Sequence, residues 1–155
     1  MDFTIRRFQE TDAEETSAVI ERALRISNAP DYPPEIIREM IELYSAANLR
    51  EQAGSEHLYV LRDGERIAGC GGIAPYMGHR TESILVTIFV LPEYQGKGIG
   101  KSIVNRLLEH IKSAAVPGTI IDIGLTAVKG KEPFYEKFGF LVRSTGMGQL
   151  MEIQE

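Results

Sequence analysis

Apolar residues recur with a helical period in three segments of the chain. In the first, Val19, Ile20, Ala23 and Leu24 share one helical face, and the second begins at Pro34. The third has the most regular stripe, formed by Ile99, Ile103, Val104, Leu107, Leu108 and Ile111. The pattern predicts two helices in the amino-terminal third, the second over residues 34–47, and one long helix after residue 98.

Between the helices the apolar residues alternate or form short β-branched runs, which predicts strands. These segments are residues 3–8, 58–61, 66–74, 82–91, 119–125, 140–143 and 149–153, and a short helix is expected over residues 132–138. The strand–helix–strand unit over residues 82–125 predicts a mixed sheet with one locally parallel pair. The expected fold is α/β (α+β), one domain over residues 1–155, with the order β-α-α-β-β-β-α-β-α-β-β.

Charge and cysteine content narrow the function classes. The 155 residues include 17 Lys and Arg against 22 Asp and Glu, giving a net charge of −5 and no general attraction to nucleic acid or anionic membranes. No apolar run reaches the roughly 20 residues that cross a bilayer. Cys70 is the single cysteine, so no intrachain disulfide or cysteine-rich metal site can form, and we expect it to pack as a small apolar residue. We expect a cytoplasmic protein without nucleic-acid, membrane or metal partners.

A glycine-rich segment separates the strand over residues 82–91 from the longest helix. It consists of Gln95-Gly96-Lys97-Gly98-Ile99-Gly100-Lys101. Glycines let the backbone turn tightly, and the start of a helix offers unpaired N–H groups with a partial positive charge. This junction therefore predicts an anion site, of the kind that most often binds phosphate.

Two common phosphate loops fit this segment poorly. A dinucleotide-binding Gly-x-Gly-x-x-Gly pattern needs glycine where the chain has Lys101, and a Walker A loop needs glycine where it has Gln95. A third pattern, Gln/Arg-x-x-Gly-x-Gly/Ala, is matched by Gln95, Gly98 and Gly100. Residues 90–100 resemble the acetyl-CoA loop of the GNAT superfamily of N-acetyltransferases. Residues 133–140, with the sequence PFYEKFGF, are similar to the later FYEKxGF motif of that superfamily.

The resemblance covers essentially the whole chain and implies direct transfer of an acetyl group from acetyl-CoA to a primary amine, without a metal. It assigns the CoA pyrophosphate to the loop residues Gln95, Gly96, Lys97, Gly98, Ile99, Gly100 and Lys101. It also implies that Ile88, Phe89 and Val90 lie beside the pantetheine arm and the thioester. Tyr135 matches the tyrosine that commonly protonates the leaving CoA thiolate, a role that suits a phenol because it is protonated at neutral pH.

The proton acceptor for the attacking amine stays open at this level. Glu82 lies two residues from a glutamate found in some members, which keeps it on the same face of the strand; Asp122 and His79 are alternatives. Many members have an asparagine where this chain has Val128, so a cofactor contact is either lost there or made by the backbone. The expected acceptor is a small-molecule or peptide amine, with walls from residues 28–48 and 76–82. A non-catalytic acetyl-CoA-binding module is the alternative function, and both a monomer and a homodimer fit the sequence.

Overall fold

A computed structural model of the chain describes residues 3–75, 81–128 and 130–155. Its strands are β1 (Phe3–Arg7), β2 (His57–Asp63), β3 (Arg66–Pro75), β4 (Glu82–Val90), β5 (Ile120–Leu125), β6 (Leu141–Val142) and β7 (Met147–Glu152). Its helices are α1 (Ala13–Ala23), α2 (Pro34–Leu43), α3 (Ala46–Ala53), α4 (Ile99–Ala114) and α5 (Glu132–Glu136). Within these ranges, no helix combines the length and the apolar character needed to cross a membrane.

All the strands belong to one sheet in the order β1-β2-β3-β4-β5-β7-β6. Every neighbouring pair is antiparallel except β4 and β5, which are parallel as the strand–helix–strand pattern predicts. The predicted mixed α/β fold is thus confirmed. The sheet places β4, with the glycine loop at its carboxyl end, in the middle of the molecule.

The second predicted helix is wrong in its extent, because two helices replace it. Helix α2 ends at Leu43, and α3 begins after Ser45, whose hydroxyl accepts a hydrogen bond from the Asn48 backbone N–H at 3.2 Å. A serine in this position satisfies one of the unpaired donors at a helix start. The apolar spacing alone predicts one helix through Ala47, but the cap at Ser45 starts a new helix there.

The glycines of β3 allow α4 to pack closely against the sheet. A β-carbon placed on Gly71 would lie 2.5 Å from Cγ2 of Ile103. Ile103 belongs to the predicted stripe of α4, whose buried members are Ile99, Ile103, Val104, Leu107 and Ile111. Helix α4 is thus held against the centre of the sheet, and its amino-terminal end lies at the end of β4.

Strand β4 contains an irregularity where it leaves its neighbour β5. The parallel pairing covers only Glu82–Ile84 opposite Asp122–Gly124. Farther along, the β3–β4 register shifts between Cys70 and Gly72, and Thr87 has a positive φ of 57°. A β-branched residue rarely adopts this backbone conformation, and such bulges turn a strand and occur beside functional sites. The two strands diverge beyond this pairing and leave the second half of β4 open on one edge.

Helix α1 continues into a π-helical turn. This turn spans Leu24–Asn28 and is followed by a short 3₁₀ turn at Ala29–Asp31. Widened turns of this kind are rare and frequent at functional sites. The turn carries Ser27 and Asn28 to the open end of the sheet.

Candidate functional site

Two cavities meet where β4 and β5 separate. The first has a volume of about 350 Å³ and is lined by the second half of β4, the glycine loop, the π-helical turn and α5. The second, of about 290 Å³, lies between β4, α2 and the segment that follows β5. The residues common to both walls are Asn28, Ile88, Phe89, Val128 and Tyr135. We call the first the loop cavity, the second the inner cavity, and the shared wall the junction.

The glycine loop gives the loop cavity an exposed backbone wall. Gly96 and Gly98 both have φ of 79°, in the left-handed region, and a β-carbon on either would meet no protein atom within 4 Å. Gly98 is also the residue that precedes the first turn of α4. The first N–H groups of a helix have no acceptor inside the helix, and here they follow directly on the open space beside Gly96 and Gly98.

The electrostatics of the loop cavity suit an anion. Lys101 and Lys131 line it, and no carboxylate does so among the described residues. These lysines add to the positive end of the α4 dipole. Of the loop residues predicted to bind the cofactor, only Lys97 is absent from the lining; its Nζ lies 5.3 Å from the centre of the Tyr94 ring. Ile88, Phe89 and Val90 all line the cavity.

Tyr135 lies at the junction and therefore lines both cavities. Its ring packs edge to face against Phe134 at 5.0 Å and Phe140 at 6.3 Å. Burial raises its pKa to about 12, because the phenolate is poorly solvated there. Tyr135 is therefore a neutral phenol throughout the physiological pH range. Val128, the position of the missing asparagine, is also part of the junction.

The π-helical turn contributes Ser27 and Asn28 to the cavity walls; Asn28 belongs to the segment 28–48 that was expected to shape the acceptor site, whereas no pattern in the sequence selects Ser27. Ser27 accepts a hydrogen bond from Gln95 Nε2 at 2.8 Å, which ties this turn to the glycine loop. Asn28 is only 8% exposed and belongs to the junction. A polar residue after an amphipathic helix is normally exposed, and no local pattern marks Ser27 as a wall residue or distinguishes Asn28 from its neighbours in the 28–48 segment.

The inner cavity is mainly apolar and aromatic. Its wall includes Tyr32, Met40 and Tyr44 from the segment predicted to shape the acceptor site, and no charged residue lines it among the described residues. Burial raises the pKa of Tyr44 and is the largest of the causes that act on it. The centre of the Tyr44 ring lies 5.2 Å from the centre of the Phe89 ring. Such a wall favours a neutral or apolar ligand, because an unpaired buried charge is costly.

Cys70 lies beneath the bulge of β4 and has the structural environment expected from the sequence. Its thiol donates a hydrogen bond to the Thr87 carbonyl at 3.2 Å, and burial raises its pKa to about 12. Because the thiolate is the nucleophilic form, this environment keeps Cys70 unreactive.

The two candidate bases among the described residues, Glu82 and Asp122, do not line the junction. Glu82 begins β4 opposite Asp122 and is half-buried, and neither cavity is lined by it. It shares a strand face with Ile84 and Val86, which line the inner cavity. Asp122 forms an ion pair with Arg143 at 2.7 Å. The third candidate, His79, lies outside the described residues, as does most of the 76–82 segment.

Comparisons with known proteins agree on one family. The family model described as an acetyltransferase (GNAT) domain matches residues 54–142. The PaiA N-acetyltransferase of Thermoplasma acidophilum, solved with coenzyme A, superposes with a TM-score of 0.80 at 21% identity, over 98% of this chain and 99% of that one. A GNAT family acetyltransferase of Brucella melitensis, solved with acetyl-CoA, gives 0.73 at 22% identity, over 99% and 90%. At these identities the solved structures establish the fold alone.

Proposed function

The chain belongs to the GNAT family of acetyltransferases, and on that basis we propose that it transfers the acetyl group of acetyl-CoA directly to a primary amine. The observation that carries the proposal is the junction, where a cavity suited to a phosphate-bearing ligand meets a second cavity beside a buried phenol. One ordered sheet runs from Phe3 to Glu152, so we assign residues 1–155 to a single acetyltransferase domain.

The glycine loop would hold the pyrophosphate of CoA. The bare backbone at Gly96 and Gly98 leaves room for phosphate oxygens, and the first N–H groups of α4 are donors without helical acceptors. Lys101 and Lys131 would add positive charge at the same wall. This arrangement needs no metal ion to neutralise the pyrophosphate.

The open edge of β4 would hold the pantetheine arm. Pairing with β5 stops at Ile84, so the backbone groups of the residues that follow on that edge can bond the amides of a ligand. Addition of a ligand segment to such an edge is a common way to bind an extended chain. Ile88, Phe89 and Val90 would line the path from the loop to the junction.

The reaction would take place at the junction. Acetyl-CoA supplies an acetyl group activated as a thioester. Tyr135 would donate its phenolic hydrogen toward the sulfur as the carbon–sulfur bond breaks. The amine would enter through the inner cavity, whose apolar wall suits a neutral amine on a small molecule or a peptide. Glu82, on the strand face that leads into this cavity, would accept the amine proton through water.

Ligand binding to two matched glycine variants tests the loop. Gly98→Ala and Gly64→Ala each place a β-carbon at positive φ (79° and 59°) in open space, but Gly64 lies in the β2–β3 turn, outside both cavities. Both should destabilise the fold by about 1–2 kcal/mol through backbone strain. Only Gly98→Ala should weaken acetyl-CoA binding in isothermal titration, because its methyl group would occupy the phosphate space. Equal affinities of the two variants would remove the loop from the site.

Turnover tests the chemistry separately. A panel of primary amines incubated with acetyl-CoA should release free thiol in proportion to acetylated amine. Acetyl-CoA binding without thiol release for any amine would support the alternative, a non-catalytic acetyl-CoA-binding module. Binding of magnesium–ATP with retained affinity in Gly98→Ala would instead contradict the CoA assignment.

A further inference from the structure

Three side chains have a buried polar atom without a hydrogen-bond partner among the described residues. They are Thr16 Oγ1, Asn28 Nδ2 and Glu56 Oε2. Asn28 alone among them lines a cavity, and it lines both. A buried donor left without an acceptor costs free energy, and it is explained most simply when a ligand supplies the acceptor.

The position of Asn28 restricts which ligand atom this is. Tyr135 shares the junction with Asn28, and under the proposed function the thioester sulfur lies beside Tyr135. The acetyl carbonyl carbon is bonded to that sulfur, so its oxygen is close by and can only accept hydrogen bonds. Rotation about the Cβ–Cγ bond of asparagine is soft and can turn Nδ2 toward this oxygen.

The π-helical turn gives Asn28 a defined place. The preceding residue, Ser27, is hydrogen-bonded to Gln95 of the glycine loop at 2.8 Å. The turn is therefore tied to the same loop that would hold the pyrophosphate. The backbone that carries Asn28 is thereby held in place, so only its side-chain amide has to turn when charge develops on a ligand oxygen.

We propose that the side-chain amide of Asn28 donates a hydrogen bond to the acetyl carbonyl oxygen of acetyl-CoA and stabilises the negative charge that develops on it; this rests on the proposed function. As the amine nitrogen bonds to the carbonyl carbon, the oxygen gains charge. The charge is lost again when the carbon–sulfur bond breaks and its electron pair leaves with sulfur, while the attacking nitrogen gives up its proton through water to Glu82. Asn28 exchanges no proton in these steps.

The test uses Asn28→Leu and Asn28→Asp, which both remove the donor while keeping a side chain of similar size. Thr16→Val is the matched control, since it removes another buried unpartnered polar atom that lines neither cavity. Acetyl-CoA labelled at its carbonyl carbon is bound without amine, and the NMR resonance of that carbon is compared with the free ligand. The affinity for CoA, which lacks the acetyl group and its carbonyl, is measured alongside. So is the single-turnover rate with a good amine.

The wild-type protein and Thr16→Val should shift the bound carbonyl resonance downfield, whereas both Asn28 variants should lose part of this shift. Their affinity for CoA should remain, and their single-turnover rate should fall about 10²-fold, as when one oxyanion donor is removed. An unchanged resonance and rate would overturn the proposal. An equal loss of affinity for CoA and acetyl-CoA would also overturn it, because Asn28 would then contact the pantetheine arm. A change in the KM for the amine alone would overturn it as well, because Asn28 would then contact the amine. If the wild-type protein binds no CoA, the proposed function itself fails.

Discussion

Replacing Tyr135 by phenylalanine distinguishes the role of its hydroxyl group from the role of its ring in packing. The ring contacts with Phe134 and Phe140 are edge-to-face contacts that a phenyl ring can keep. The change therefore removes one hydroxyl at the junction and leaves the fold and the cofactor contacts in place. We expect a loss in the rate of acetyl transfer with acetyl-CoA affinity unchanged, because the hydrogen is needed only as the bond to sulfur breaks.

The raised pKa of Tyr135 sets the size of this loss. Its value of about 12 lies roughly 3–4 units above that of an ordinary thiol, so complete proton transfer to a thiolate is unfavourable by about 5 kcal/mol. A hydrogen bond to the developing thiolate is the available contribution, and bonds to charged groups contribute about 1.5–3 kcal/mol. This corresponds to a rate loss of about 10- to 100-fold. This loss lies at or below the lower limit of the range of about 10²–10⁴-fold that full general acid catalysis gives.

A quenched single-turnover assay with saturating acetyl-CoA measures this step without interference from slow product release. Tyr59→Phe is the control, because it removes a buried phenolic hydroxyl that is bonded to His110 and lines neither cavity. An unchanged rate in Tyr135→Phe would make the residue a packing residue. A loss above about 10³-fold at intact affinity would refute the argument from the pKa, because it would require complete proton donation.

Two further predictions concern Glu82 and two histidines. Glu82→Gln should lower kcat for the amine with acetyl-CoA affinity unchanged, and an unchanged kcat would assign the proton to water or another group. Partial burial is the main cause that lowers the pKa of His57 and His110, whose ring centres lie 4.5 Å apart, so the unfolded chain binds more protons near pH 6. The contribution of the two histidines to stability should be present above about pH 6.5 and lost as the pH falls. When both are replaced by glutamine, Tm should fall less between pH 8 and pH 5 than in the wild-type protein. An equal fall in Tm would contradict the assignment of this pH dependence to the two histidines.

The sequence was sufficient for the elements whose signals are local or strongly periodic. The apolar stripe of α4 is buried as predicted, apart from a half-buried Leu108, because one face of a regular helix must pack on the sheet. The break at Ser45 was missed, since a single capping residue competes with a longer apolar period. The glycine loop could be selected from the sequence because bare backbone at a helix start is typical of phosphate sites, and its role in binding the cofactor stays a prediction.

The remainder of the site depends on packing between distant segments. Ser27 and Asn28 reach the cavities only because a π-helical turn rotates the end of α1 toward a loop 68 residues further along the chain. The positive φ of Thr87 is likewise invisible in a run of strand-forming residues, although it marks the place where β4 bends. Neither feature has a sequence signal of its own, because tertiary contacts select them.

The two cavities also explain why a base away from the junction is compatible with the chemistry. Since no charged residue lines the inner cavity among the described residues, an ammonium ion would enter it without a counter-ion, at considerable cost. The amine is therefore expected to lose its proton before it reaches Tyr135. Glu82 lies on the strand face that continues into the inner cavity through Ile84 and Val86, and it is half-buried rather than sealed from water. A carboxylate in this position can relay that proton through water to the bulk solvent, whereas one at the junction would repel the charge developing on the acetyl oxygen.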